Sequence, residues 1–180
     1  MRLLGERILI RDLHFNDIDD YYEYTSNPLV GPDAGWKPVP NLETAKKLLA
    51  GNIVAKEMYA IELLESRKMI GTISIYDSAL RKYKFTKSLG FSLNPNYWGN
   101  GYMPEAVNLI IKYLFENTDC EVIEAGHHSD NYKSKRVFEK CGFIYDGRLC
   151  KYKKLYDGRL IDADFYSITK EDYERRVKYE

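Results

Sequence analysis

Two stretches of this chain carry residues whose types and spacing can do chemistry. In the first, Asn96-Tyr97-Trp98-Gly99-Asn100-Gly101-Tyr102-Met103-Pro104-Glu105-Ala106 joins an apolar run, Ser88 to Leu93, to a segment that opens on proline. A strand, a Gly-x-Gly turn and a helix in that order turn backbone N–H groups from about Gly99 to Met103 toward one point at a positive helix terminus, which suits a pyrophosphate. A plain turn that uses glycine for backbone freedom is the competing explanation. The second stretch runs from Asn131 to Phe143 and places a capping asparagine, the Ser134 hydroxyl and the cations Lys133, Lys135 and Arg136 at a helix start. Just before it, Glu124, His127 and His128 share a short strand-like run, with His127 on one face and His128 and Glu124 on the other. An imidazole that titrates near neutrality suits proton removal, although a strand histidine is as ordinary a packing residue as serine is a local hydrogen bonder.

Several chemistries are excluded or disfavoured. No lysine follows the second glycine as a nucleotide-hydrolase phosphate loop requires, and Gly99, Gly101 and Glu105 lack the third small residue of a dinucleotide fingerprint. Lysine plus arginine and aspartate plus glutamate number 27 each, so no global field recruits nucleic acid or an anionic membrane. No His/Cys/Asp cluster has metal-ligand spacing, and no metal is expected. Cys120, Cys141 and Cys150 form no CxxC pair, and their odd number points to a reducing cytosol rather than a disulfide framework. The residues after Met1 lack an apolar signal core, and no run approaches the roughly 18 apolar residues of a membrane span, so a cytoplasmic protein is expected.

The paired motifs resemble the GNAT superfamily of acyl-CoA-dependent N-acetyltransferases, most nearly the branch that includes the ribosomal-protein alanine and serine acetyltransferases. The family's phosphate pattern, Gln/Arg-x-x-Gly-x-Gly/Ala, is matched by Asn96 to Gly101, and its second signature, N-x-x-S-x-x-V-x-E-K-x-G-F, by Asn131 to Phe143. The front segments Asn27-Pro28-Leu29-Val30 and Gly35-Trp36-Lys37-Pro38 look like the branch's substrate-side loop, and the likeness reaches Asp162 and Tyr166 near the end. The resemblance implies acetyl-CoA as co-substrate, with pantetheine along Phe91-Ser92-Leu93 as an added strand, the thioester carbonyl near the N–H of Leu93 or Asn94, the adenosine diphosphate over Gly99 to Met103, and Trp98 among the cofactor-binding residues. It also implies that Asn131 and Lys133 contact the cofactor and that Ser134 lies near the thioester sulfur as proton donor. His127 is the base candidate, with a water held by Ser92 and Asn94 as the other, and Trp36 and Tyr22 are candidates for the acceptor wall. Two departures stand out: Asn96 occupies the Gln/Arg position, and Phe138 occupies that of the family's frequent acid tyrosine.

These residues need elements to position them. The expected fold is one α/β domain over residues 1–180, with a mixed, mostly antiparallel twisted sheet flanked by helices and the acyl-CoA between splayed central strands. Strands are read at Arg7–Leu13, Met58–Leu64, Met69–Tyr76, Ser88–Leu93, Glu121–His128, Phe143–Lys154 and Arg159–Ile168, the last pair turning at Tyr156-Asp157-Gly158. Helices are read from a cap at Asn16 or Asp17 to Ser26, then at Leu42–Val54, Pro104–Asn117, Asn131–Lys140 and from Glu171. Four prolines make Asn27 to Pro40 a long loop without regular structure. The functional expectation is acetyl transfer to a protein N-terminal or small-molecule amine by a monomer or homodimer, without nucleic-acid or membrane partners. A non-catalytic acyl-CoA sensor is the alternative, because Phe138 cannot give a proton.

Overall fold

Branched and aromatic residues in short alternating runs make the sheet, and glycine, proline and asparagine set where the chain leaves it. The computed structural model describes residues 1–78 and 80–179. Eight strands run β1 (Arg2–Leu4), β2 (Ile8–Asp12), β3 (Met58–Leu63), β4 (Met69–Asp77), β5 (Thr86–Leu93), β6 (Val122–His128), β7 (Ile144–Lys154) and β8 (Leu160–Thr169). They form one sheet in the order β1-β2-β3-β4-β5-β6-β8-β7. Every recorded neighbour pair is antiparallel except β5 with β6. β1 has no counterpart among the strands expected from sequence; its three residues pair with Leu9 to Arg11, too short a run to show a period of two.

The helices are α1 (Ile18–Thr25), α2 (Gly31–Ala34), α3 (Leu42–Ala55), α4 (Tyr102–Asn117), α5 (Tyr132–Lys140) and α6 (Lys170–Tyr179). No described helix is long and apolar enough to cross a membrane. On one face of the sheet, Ala106, Val107, Ile110, Ile111 and Leu114 of α4 meet Ile8, Ile10, Ile61 and Ile123. On the other, Tyr21 and Tyr24 of α1 and Ala45 and Leu49 of α3 meet Ala60 and Met69. Burying these apolar faces is what holds the helices, since isolated helices of such length are marginal in water.

Three local expectations are corrected. The segment 27–40 is not wholly irregular: Pro32 sits in the first turn of α2, where its missing N–H breaks no helical bond. On α3 the sequence spacing puts Leu42, Ala45, Leu48 and Leu49 on one inward face, but Leu42 and Leu48 face outward while Ala45 and Leu49 are fully buried. Asp17 precedes α1 but does not cap it through its side chain. Its carboxylate accepts instead from the His14 N–H at 2.7 Å and from Arg11 at 2.7 and 2.9 Å.

The feature that positions the site is the parting of β5 from β6. Their ladder runs from Thr86 opposite Val122 to Leu89 opposite Ala125, yet β5 continues to Leu93 and β6 to His128. Beyond Leu89 the facing edges are open. On its other side β5 stays paired with β4 as far as Gly71 opposite Leu93, and the Asn94 N–H donates to the Ile70 carbonyl at 2.8 Å. By the alternation of an antiparallel ladder, Phe91 and Leu93 then turn their backbone groups away from β4, into the opening.

Candidate active site

The opened edge lines a cavity of about 730 Å³. The chain turns from β5 into α4 through Gly99 and Gly101, each at φ +81, a conformation that residues with a Cβ rarely adopt. An added Cβ would meet nothing within 4 Å at Gly99, and at Gly101 only the Arg7 guanidinium at 3.4 Å. The glycines thus satisfy the turn and leave open space above it. Among the described residues, the N–H groups of Gly99, Asn100, Gly101, Tyr102 and Met103 have no hydrogen-bond acceptor, while those of Trp98 and Glu105 do. Five unspent donors at a helix N-terminus make an anion cradle.

Distant residues fix the turn. Arg7 Nη1 donates to the Asn100 carbonyl at 2.8 Å, and its Nε to Glu105 Oε2 at 2.9 Å. Glu105 Oε1 in turn accepts from the Arg7 backbone N–H at 2.9 Å. Trp98 Nε1 donates to the Leu93 carbonyl at 2.9 Å, so the indole ties the turn to the strand. Its ring lies 4.1 Å from the Lys133 ammonium.

The second motif sits across the cavity. Asn131 caps α5, its Oδ1 accepting from the Ser134 N–H at 3.2 Å, and its Nδ2 donates to the Asp33 carbonyl at 3.2 Å. Lys133 pairs with the Asp33 carboxylate at 2.8 Å. The short α2 is thereby latched to the start of α5. Ser134 lines the cavity, as do Phe91, Leu93, Trp98, Gly99, Gly101, Tyr102, Met103, Asn131, Lys133, His127 and Trp36. Asn100 turns its side chain onto the Trp98 carbonyl, 3.1 Å away, and does not line the cavity. Tyr22 also lies outside it, half-buried against the core under α1 and α3.

Phe138 is buried among aromatic rings, with centroids 5.5 Å from Phe91, Phe143 and Tyr166 and 5.9 Å from His127. His127 Nδ1 lies 2.6 Å from the His128 carbonyl. A carbonyl only accepts, so Nδ1 carries a proton and Nε2 is the ring atom left for proton exchange. That atom is buried without a hydrogen-bond partner. His128 lies on the opposite face, and burial followed by the nearby Lys153 charge holds its pKa below the ordinary imidazole value. Glu124 is not a free base: its oxygens accept from Ser78 and Arg81, each at 2.7 Å. Cys141 is wholly buried, and burial pushes its thiol up to about 12, which leaves it inert as a nucleophile.

A turn of unspent N–H donors after an opened parallel pair is the arrangement expected of an acyl-CoA site, and residues 7–144 match the family model of an acetyltransferase (GNAT) domain. The chain belongs to the GNAT acetyltransferase family. As an N-acetyltransferase of that family it is 30% identical over 182 residues to the uncharacterized N-acetyltransferase YnaD of Bacillus subtilis (strain 168), covering 96% of this chain and 99% of YnaD. A GNAT acetyltransferase structure from Bacillus anthracis superposes with a TM-score of 0.85 at 27% identity, over 95% of this chain and 99% of that one. The ribosomal L7/L12 alpha-N-protein acetyltransferase RimL, solved with coenzyme A, shares the fold at a TM-score of 0.80 and 18% identity, over 94% and 98% of the two chains. Within this GNAT acetyltransferase, sequence reasoning missed Arg7, Asp33 and Lys153. Arg7 and Glu105 are 98 residues apart, and Asp33 and Lys133 are 100 apart, so no local pattern joins them.

Proposed function

We propose that the protein moves the acetyl group of acetyl-CoA to a primary amine by direct attack in a ternary complex, with no acyl-enzyme stage. The observation that carries this reading is two sets of unspent backbone donors along one cavity, Phe91 and Leu93 on the open β5 edge and Gly99 through Met103 at the turn into α4. The residues present fit acetyl-CoA. The open glycine turn suits its pyrophosphate, the parted β5 edge suits an extended amide-bearing arm, and Lys133 and Arg136 suit a phosphate. RimL was solved with coenzyme A, which supports the same class of co-substrate here. Acetyl-CoA supplies an acyl group activated as a thioester.

In this reading each residue has a limited task. The Leu93 N–H, aimed into the opening, stabilises negative charge that develops on the carbonyl oxygen. His127, on the cavity wall, takes the proton that the amine nitrogen must lose; because its Nε2 is closed to solvent in the free protein, the transfer requires the ring to turn until Nε2 faces the cavity. Ser134, on the first turn of α5, gives a proton to the departing sulfur, a task Phe138 cannot perform. The balance is simple: an N–C bond forms, the C–S bond breaks, one proton leaves nitrogen and one reaches sulfur. Trp36, packed so close to Gly31 that a Cβ there would stand 2.9 Å from its ring, forms a fixed wall for the acceptor. The cytosol fits the three unpaired thiols.

The test is two-substrate kinetics with acetyl-CoA and each amine of a panel, joined to intact-mass measurement after incubation with acetyl-CoA alone. Intersecting double-reciprocal lines and an unchanged protein mass are expected. Parallel lines with an added 42 Da (about the mass of one acetyl group) would overturn direct attack.

A further inference from the structure

The chain has no net charge, but its cavity wall does. Among the described residues, four cationic side chains line the cavity, Lys133, Arg136, Lys140 and Lys153, against the single carboxylate of Asp33. That carboxylate is already paired with Lys133. Three of the four cations lie on α5, beside the glycine turn, where the cofactor's phosphates account for them. Lys153 does not belong to that group. It comes from β7, and an added Cβ at Gly35 would stand 3.1 Å from its ammonium and 3.0 Å from His128 Nε2. Gly35 is at φ +82, so the chain is committed to glycine there and the two polar groups close in on it.

Among the described residues, the Lys153 ammonium has no hydrogen-bond or ion-pair partner. His128 beside it is half-buried and held toward its neutral form, with Asp33 and Asp130 as the acids that act against Lys153. Asp130 is exposed and does not line the cavity. The same cavity is lined by the apolar side chains of Leu29, Trp36 and Met58. Among the described residues, no unpaired carboxylate lines the cavity to receive an ammonium, as a polyamine acceptor would require.

Building on the acetyl-transfer reading above, we propose that the acceptor is an amine bearing its own carboxylate, held by the Lys153 ammonium and the His128 imidazole, with its apolar part against Trp36. With its proton on Nε2, His128 stands beside the Lys153 ammonium as a second donor, and two donors match the two oxygens of a carboxylate. A second cationic group on the acceptor would meet Lys153 unscreened by any free acid and be rejected.

The test compares phenylalanine, leucine and alanine with their amides, and with spermidine, by thiol release at saturating acetyl-CoA. The free acids are expected to exceed the amides at least about tenfold in kcat/KM, with spermidine poorest. Lys153→Gln should collapse the acid-to-amide ratio toward one, and Lys153→Glu should invert it, while the coenzyme A Kd of both variants stays within about twofold of the parent. A parent enzyme that prefers amides or spermidine, or a ratio that survives Lys153→Gln, overturns the proposal. Calorimetry with N-acetylphenylalanine and its amide on the coenzyme A complex gives the same comparison without turnover. Lys153-dependent binding of the acid with no turnover of any amine would keep the anion site and sink the transfer reading. Equal binding of acid and amide would sink the anion site.

Discussion

Gly101→Glu separates the cradle from a mere turn. At φ +81 any side chain strains the backbone by about 1–2 kcal/mol. For a chain of this size that lowers Tm by about 2–8 °C. The new Cβ would lie 3.4 Å from Arg7 Nη2, so the carboxylate has a cationic neighbour and the fold survives. Strain is present with and without ligand and cancels from affinity. The charge does not: a carboxylate about 5 Å from one phosphate charge, at an effective dielectric near 20, opposes it by about 3 kcal/mol. Coenzyme A affinity should therefore fall by about two orders of magnitude. Gly101→Ala, which carries the strain without the charge, should lose less than about tenfold. Calorimetric titration with coenzyme A, beside a melting curve, reads both quantities. A folded Gly101→Glu protein that binds coenzyme A like its parent would refute the pyrophosphate assignment.

Other perturbations follow from the same geometry. Ser134→Ala should lower kcat at least about tenfold with coenzyme A affinity unchanged; equal rates would remove Ser134 from the chemistry. Asp33→Asn frees Lys133 from an exposed pair worth under about 1 kcal/mol, so coenzyme A should bind up to about fivefold tighter, and an unchanged Kd would mean that Lys133 does not meet phosphate. Arg11 lies part-buried between Asp17 at 2.7 Å and Glu62 at 2.5 Å, and Arg11→Leu takes the main cationic partner from both carboxylates, leaving Asp17 the His14 N–H and Glu62 the more exposed Arg67. It should destabilise by about 3–5 kcal/mol, and an unchanged Tm would deny the cluster any structural weight. Acid should act through depressed carboxylates. The Arg148 hydrogen bonds hold Asp164 below its ordinary 3.8, and at Glu62 bonds from Arg11 and Arg67 outweigh burial and carry it below 4.5. Because both folded pKa values lie under the unfolded ones, this stability is complete at neutral pH and is lost as pH falls below about 4.5. A Tm that holds steady from pH 5 to pH 3 would contradict that linkage.

What could be read from the chain was local backbone geometry. Gly99, Gly101, the caps Asn41 and Asn131 and the inward face of α4 each announce themselves within one turn of helix. Side chains that reach across the fold did not. Glu124 reads as a strand carboxylate available for proton transfer until Arg81, 43 residues earlier, closes on it. Tyr22 reads like its neighbours, but the helical period turns Tyr21 and Tyr24 into the core and leaves Tyr22 at its margin. Lys153 sits in a run of exposed lysines on β7, and only the bare backbone of Gly35 shows where its ammonium goes. The latch of α2 onto α5 was hidden for the same reason, since Asp33 lies in a segment whose prolines suggest no regular structure at all.

Acetyl transfer itself is tested most directly by stoichiometry. With acetyl-CoA and an amine that supports thiol release, mass spectrometry of the amine should find one N-acetyl group for each thiol released, and release should fall to the uncatalysed level when the amine is omitted. Thiol release without an acetylated amine, or tight coenzyme A binding with no turnover on any free amino acid, peptide or polyamine, would contradict it.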